Sequence, residues 1–207
     1  MNETELVHPE LAEVEINPIS RSDLVMKGVL AAGAVYGLSM VGPFLRRAFA
    51  KSSDVDILNY ALTLEYLESA FYNEAKTRVK GSADLMSLID LLADDENQHV
   101  AALTQAIKGA GGTPVPEPKV AFPYKGTAGF LQLAQTFEDT GVSAYNGAAP
   151  MITSKDVLGS AGSIVQVEAR HAAAIRLQNM TEPAPDAFDP SLTMSQVTKA
   201  VQPFIKS

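Results

Sequence analysis

From Asp54 onward, apolar residues recur every three or four positions in four successive stretches. In residues 83–108 the stripe is Leu85, Ile89, Leu92, Glu96, His99, Leu103 and Ala106, with alternating steps of four and three. That period places all seven on one face of an α-helix. Residues 154–180 repeat it as Val157, Ala161, Ile164, Glu168, His171, Ile175 and Gln178. Each stripe is interrupted near its middle by a carboxylate and an imidazole three residues apart, which share a helix face.

Two further helices are predicted over 54–80 and 127–149. The first carries Val55, Leu58, Leu62, Glu65, Ser69 and Tyr72 on a stripe. The second carries Ala128, Leu131, Gln135, Glu138, Val142 and Tyr145. Each has one glutamate in mid-stripe and a tyrosine seven residues later, so the two halves of the chain read as a repeat. Helix starts are marked by Ser52, Ser53 and Asp54, by Ser82 and by Ser154. Helix ends are marked by Gly81, the Gly109–Gly112 cluster, Pro150 and Pro183. The links between first and second helix, and between third and fourth, are short. The link "TPVPEPKVAFPYKG" is long and rich in proline. This describes an all-α four-helix bundle of two antiparallel pairs joined by a long crossover, over residues 51–180.

The flanks differ in character. Residues 1–20 are acidic and polar, and Gly28 to Leu45 is uncharged and rich in Gly, Ala, Val and Leu. Arg21 and Lys27 precede that apolar run and "AFA" (48–50) follows it, the order of a secretory signal. "SRSDLV" is similar to a twin-arginine export motif in which Ser22 replaces the second arginine. Residues 1–50 are therefore expected to be an export signal or a membrane anchor through 28–45, with a helix of a cytoplasmic mature protein as the alternative. The tail, 181–207, is proline-rich. It contains a short amphipathic stretch with Ser195 as its expected cap, and Val197, Val201 and Phe204 are positioned to dock on the bundle or on another subunit.

Composition narrows the chemistry. The 207 residues contain no cysteine, which removes thiolate metal sites, iron–sulfur clusters and thiol catalysis. The net charge is −8 with no basic block, which argues against nucleic acid as a partner. There are three histidines. The two in the bundle each follow a glutamate by three positions, a coincidence on the order of one in 250 for independent positions. His8 lies outside the bundle and receives no role.

Four inward carboxylates cannot all remain ionised in a dry core, because desolvation is costly and like charges repel. No lysine or arginine falls at the centre of a stripe; Arg170 and Arg176 lie off it. Two divalent cations would neutralise four carboxylates and satisfy two imidazoles. Oxygen-rich ligation with one imidazole per metal suits two iron or two manganese ions. The ligand set is then Glu65, Glu96, His99, Glu138, Glu168 and His171, with Glu96 and Glu168 bridging and Glu65 and Glu138 terminal. Glu68 is expected in a solvated or supporting position, with an inward swing as the alternative. Asp94, Asp95 and Asp139 are expected on the surface. Tyr72 and Tyr145 are expected as core tyrosines with bonded hydroxyls, or else as hydrogen-bond partners of the ligands or electron donors.

This arrangement resembles the ferritin-like superfamily across about 54–180. "LNYALTLEYLESAFYNEA" and "APDAFDPSLTMSQVTKAVQPFI" are similar to the bacterial ferritin-like domain family that includes plant desiccation-related proteins. The resemblance implies the same six metal ligands, all present here. It lacks the cysteines of the rubrerythrin branch, and its proline-rich tail differs from a storage ferritin's docking helix. The expected activity is oxidation of Fe(II) or reduction of peroxide or dioxygen in stress protection, with catalase-like chemistry if the metal is manganese. The alternative is a non-catalytic scaffold of the cell envelope with a structural or vestigial metal site. Homo-oligomerisation is compatible with either.

Overall fold

A computed structural model describes residues 53–206. The reading of residues 1–50, including the apolar run 28–45, lies outside the described residues. Helices α1 (Asp54–Arg78), α2 (Ala83–Gly109), α3 (Gly126–Ala148) and α4 (Lys155–Gln178) form the bundle, and α5 (Met194–Val201) follows in the tail. Among the described residues, no helix is long and apolar enough to cross a membrane.

The helix starts obey local chemistry. At α1, the Ser53 hydroxyl accepts from the Asp56 amide while the Asp56 carboxylate accepts from the Ser53 amide. Ser82 and Ser154 cap α2 and α4. The cap of α5 is Thr193, in a capping box with Gln196, and not Ser195. Thr193 allows the helix to begin two residues earlier, at Met194, and Gln196 supplies the reciprocal acceptor that Ser195 could not use.

Helix α1 packs along α2, α3 packs along α4, and the two pairs meet through α1 against α3 and α2 against α4. The crossover is held at both ends. Val115 donates its amide to Asn59 Oδ1 at 2.7 Å, and Arg78 donates to the carbonyls of Phe122 and Tyr124 at 3.2 and 3.1 Å. The tail lies over α3 at Gly147, where a Cβ would fall 1.9 Å from the Leu192 carbonyl oxygen, so only glycine permits the crossing. Val197 and Val201 of α5 are buried in the core. Phe204 packs edge-on against Phe137 at 4.9 Å between ring centroids. The backbones of Val120 and Ile205 pair as an antiparallel bridge, which stitches crossover to tail.

The two ends of the bundle are filled differently. At one end Phe71 sits among Tyr72, Phe122, Tyr124, Phe130 and Phe137, with centroid distances from 4.9 to 5.6 Å. At the other, Leu58, Ala61, Leu62, Leu103, Ile107 and Ile164 form a separate, chiefly aliphatic cluster with the ring of Tyr145. Between them lies a buried polar layer. The outermost stripe positions expected from sequence, Ala128 and Gln178, are exposed where the bundle ends.

Candidate metal centre

Glu65, Glu96, Glu138 and Glu168 are fully buried in that middle layer, and His99 and His171 are nearly so. One side chain comes from each of α1 and α3, and a Glu-x-x-His pair comes from each of α2 and α4. The six form two overlapping groups. Glu65, Glu96, His99 and Glu168 make one; Glu96, Glu138, Glu168 and His171 make the other. Within each group, one ligand atom from every residue lies within 4.8 Å of all the others. Glu96 and Glu168 belong to both, the position required of bridging carboxylates.

Both rings turn Nδ1 inward. His99 Nδ1 lies 3.0 Å from Glu168, 3.2 Å from Glu65 and 3.3 Å from Glu96. His171 Nδ1 lies 3.0 Å from Glu96 Oε1 and 3.6 Å from Glu138 Oε2. The His99–Glu168 and His171–Glu96 contacts pair α2 with α4 in opposite directions. The tyrosines do the same for the other two helices. The Tyr72 hydroxyl of α1 donates to Glu138 of α3, and Tyr145 of α3 donates to Glu65 of α1. Each tyrosine thus supports the carboxylate of the other half of the repeat.

The donor set fits cations. Glu96 Oε1, Glu138 Oε2, both carboxylate oxygens of Glu168 and His171 Nδ1 are buried and make no well-directed hydrogen bond, although some of them stand as close as 3.0 Å to one another or to His99. Five such lone-pair donors at one depth are costly unless something positive satisfies them. Burial, then the neighbouring Glu168 carboxylate, pushes both Glu96 and Glu138 well above the usual carboxylate range. Burial and Glu65 push Glu168 up. Burial also acts to raise Glu65, but the hydrogen bond with His99 outweighs it and holds Glu65 low. Burial alone would lower His99; the Glu168, Glu65 and Glu96 carboxylates reverse this and push it up to about 12. Protons thus occupy this cluster when cations do not.

A ferritin-like domain model matches residues 53–180. The chain belongs to the ferritin-like domain family. A solved structure described as ferritin-like, diiron-carboxylate proteins from Bacillus anthracis str. Ames is similar at a TM-score of 0.56. It is 21% identical, over 60% of this chain and 94% of that one, a likeness that shows the fold. No curated protein matches the chain.

Around this ferritin-like centre, Asp95 and Asp139 depart from the free surface positions expected of them, and Glu68 takes the supporting position rather than the solvated one. Glu68 is not solvated: it is 3% exposed and lies beside the cluster. Burial and the Glu168, Glu96, Glu138 and Glu65 carboxylates hold it well above the usual range. Its room comes from Gly141, where a Cβ would stand 3.2 Å from both Glu68 Oε1 and Glu168 Oε2. Glu65 and Glu138 are 73 residues apart, and so are Glu68 and Gly141. The repeat therefore places a missing side chain opposite an extra carboxylate, a signal legible in sequence once the repeat is aligned. Asp95 is not a free surface charge, since its Oδ2 lies 3.1 Å from His171 Nε2. A carboxylate acceptor there keeps the proton of a neutral ring on Nε2 and leaves the Nδ1 lone pair facing inward. Asp139 pairs with Arg176 at 2.6 Å. Asp94 is exposed, as expected, 3.8 Å from Lys76.

A slit of about 560 Å³ between α2 and α4 reaches the centre from outside. His99 and His171 line it, with Asp95, Gln98 and Arg170.

Proposed function

We propose that this chain is a di-metal carboxylate protein that oxidises Fe(II), or reduces peroxide or dioxygen, at a pair of iron or manganese ions. The observation that carries the reading is the pair of overlapping four-residue groups sharing Glu96 and Glu168. Glu65 and His99 would hold one ion, Glu138 and His171 the other, and Glu96 and Glu168 would bridge them. When bound, such ions supply one-electron redox chemistry and a template for a two-oxygen substrate.

The chain's residues supply the rest. Tyr145 and Tyr72 fix the orientation of Glu65 and Glu138 by hydrogen bonds. Asp95 fixes the His171 ring. Glu68 lies buried beside the centre, its carboxyl pushed above the usual range by burial and the neighbouring carboxylates, and is placed to take up or give a proton within the dry layer. The slit, in which Asp95, Gln98 and Arg170 stand among five apolar side chains, admits water-sized molecules and metal ions to the histidine side. The aromatic cluster excludes water from the layer at one end.

Purified full-length protein offered Fe(II) or Mn(II) anaerobically is expected to bind two ions per chain, measured by elemental analysis after desalting. Admission of air to the iron form is expected to oxidise Fe(II) faster than buffer alone. Glu96→Ala and Glu168→Ala each remove a bridge and are expected to abolish two-ion binding. Stoichiometric binding with no acceleration of Fe(II) oxidation and no peroxide consumption would instead assign a structural role to the metal.

A further inference from the structure

The repeat predicts that both ends of the bundle should be filled alike, and they are not. Phe130, Phe137 and Phe71 plug one end. Their equivalents, displaced by the same 73 residues, are Ile57, Leu64 and Ala144. In the second pair of helices the displacement is 72 residues, and Ile89 and Leu85 correspond to Ala161 and Val157. All five smaller residues line one cavity of about 410 Å³. Large side chains at one end and small ones at the other create that space at the level of the sequence.

The cavity abuts the metal centre. Ala61, Leu103 and Ile164 line it, each one helical turn from Glu65, His99 and Glu168 respectively. Tyr145, whose hydroxyl donates to Glu65, is also in its wall. Its volume falls in the range of small-molecule sites. Among the described residues, no Lys, Arg or His lines it, and Asp156 is the one carboxylate. That lining disfavours anions. Tyr60 supplies one polar handle: it lines the cavity, and its hydroxyl is buried without a hydrogen-bond partner. A buried hydroxyl left unpaired is costly, and a ligand acceptor would satisfy it.

We propose that this cavity is a binding site for an uncharged, chiefly apolar organic molecule carrying one hydrogen-bond acceptor. The Tyr60 hydroxyl donates to that acceptor, and the body of the molecule lies against the Ala-rich walls beside Glu65, His99 and Glu168.

The test uses the full chain treated with chelator, so its outcome is separate from that of the metal reading. Isothermal titration with 1-octanol is expected to show saturable binding of one molecule per chain. Sodium octanoate is expected to bind about tenfold more weakly or not at all, because its carboxylate meets no cation and must be desolvated. Ala161→Phe and Ala106→Phe fill the space from two half-buried positions. Each is expected to weaken octanol binding about tenfold or more while the thermal melt and the two-ion stoichiometry persist. Tyr60→Phe is expected to weaken it by about twofold to tenfold, the worth of one hydrogen bond. The proposal is overturned by absence of saturable octanol binding, by equal affinity for octanoate, or by indifference to both cavity-filling variants. A concentration-dependent pairing of chains that Ala106→Phe disrupts would also overturn it, by making the cavity an interface between copies.

Discussion

At the scale of single residues, the centre is shaped as much by Gly141 and Asp95 as by its six donors. A methyl group at position 141 would stand 3.2 Å from an oxygen of Glu68 and another of Glu168. Both oxygens are at the ends of flexible side chains, so they would shift and the helix would not. Gly141→Ala is therefore expected to leave chelator-treated stability within about 1 kcal/mol, helped by the better helix propensity of alanine. Metal affinity is expected to fall about tenfold, read by competition with a coloured chelator. Asp95→Asn keeps the shape but replaces a carboxylate acceptor with an amide at His171 Nε2. Affinity at the Glu138–His171 position is expected to fall roughly tenfold to a hundredfold, and the other position less, so the two binding steps separate. Position 167, the equivalent of Asp95 in the repeat, is Val167, so the His99 side offers no such partner to remove.

At the scale of elements, the aromatic end carries much of the packing. Phe71 is fully buried and touches rings from the crossover and α3. Phe71→Ala is expected to cost about 3–5 kcal/mol in chemical denaturation, the usual range for losing a fully buried ring. The corresponding change at the cavity end, Ile57→Ala, is expected to cost less than a typical buried isoleucine, because its side chain faces space on one side. The helices themselves are legible in the stripes: α1, α2 and α4 start after the serines that mark them, Ser53, Ser82 and Ser154, and α3 starts at Gly126, within a residue of the start predicted for it. The cap of α5 was misread because two hydroxyl residues stand two apart and only the position of Gln196 distinguishes them.

At the scale of the whole molecule, stability depends on what fills the buried layer. Glu68, Glu96, Glu138 and Glu168 have raised carboxyl values, and His99 is raised to about 12. For these groups the native state holds protons that the unfolded chain would release. Their contribution is complete below their unfolded values and is lost as pH rises toward the folded ones. Glu65 is lowered and opposes this, as one group against five. Chelator-treated protein is therefore expected to melt at a higher temperature at pH 5 than at pH 8. Metal-loaded protein is expected to lose that trend or reverse it, because cations replace the protons and binding releases them. Glu68→Gln keeps a neutral side chain at that position and is expected to flatten the chelator-treated trend while two ions still bind.

The sequence by itself determined the four helices, the inward face of each and the six donors on those faces. Helical period and capping are local, and a carboxylate on an apolar stripe is conspicuous without knowing its neighbours. It also held the repeat, from which Gly141 and the uneven ends follow once the halves are aligned. Only the tertiary structure decided which helices face each other and in what direction. That choice sends Tyr72 to Glu138 and Tyr145 to Glu65, brings Asp95 of α2 against His171 of α4, and buries Glu68 in the room left by Gly141. These contacts join residues 66 to 80 positions apart, where no local period reaches. The cavity is likewise a property of four helices together, since Ile57, Ala144 and Ala161 each look like ordinary core residues until they are seen to leave the same space unfilled.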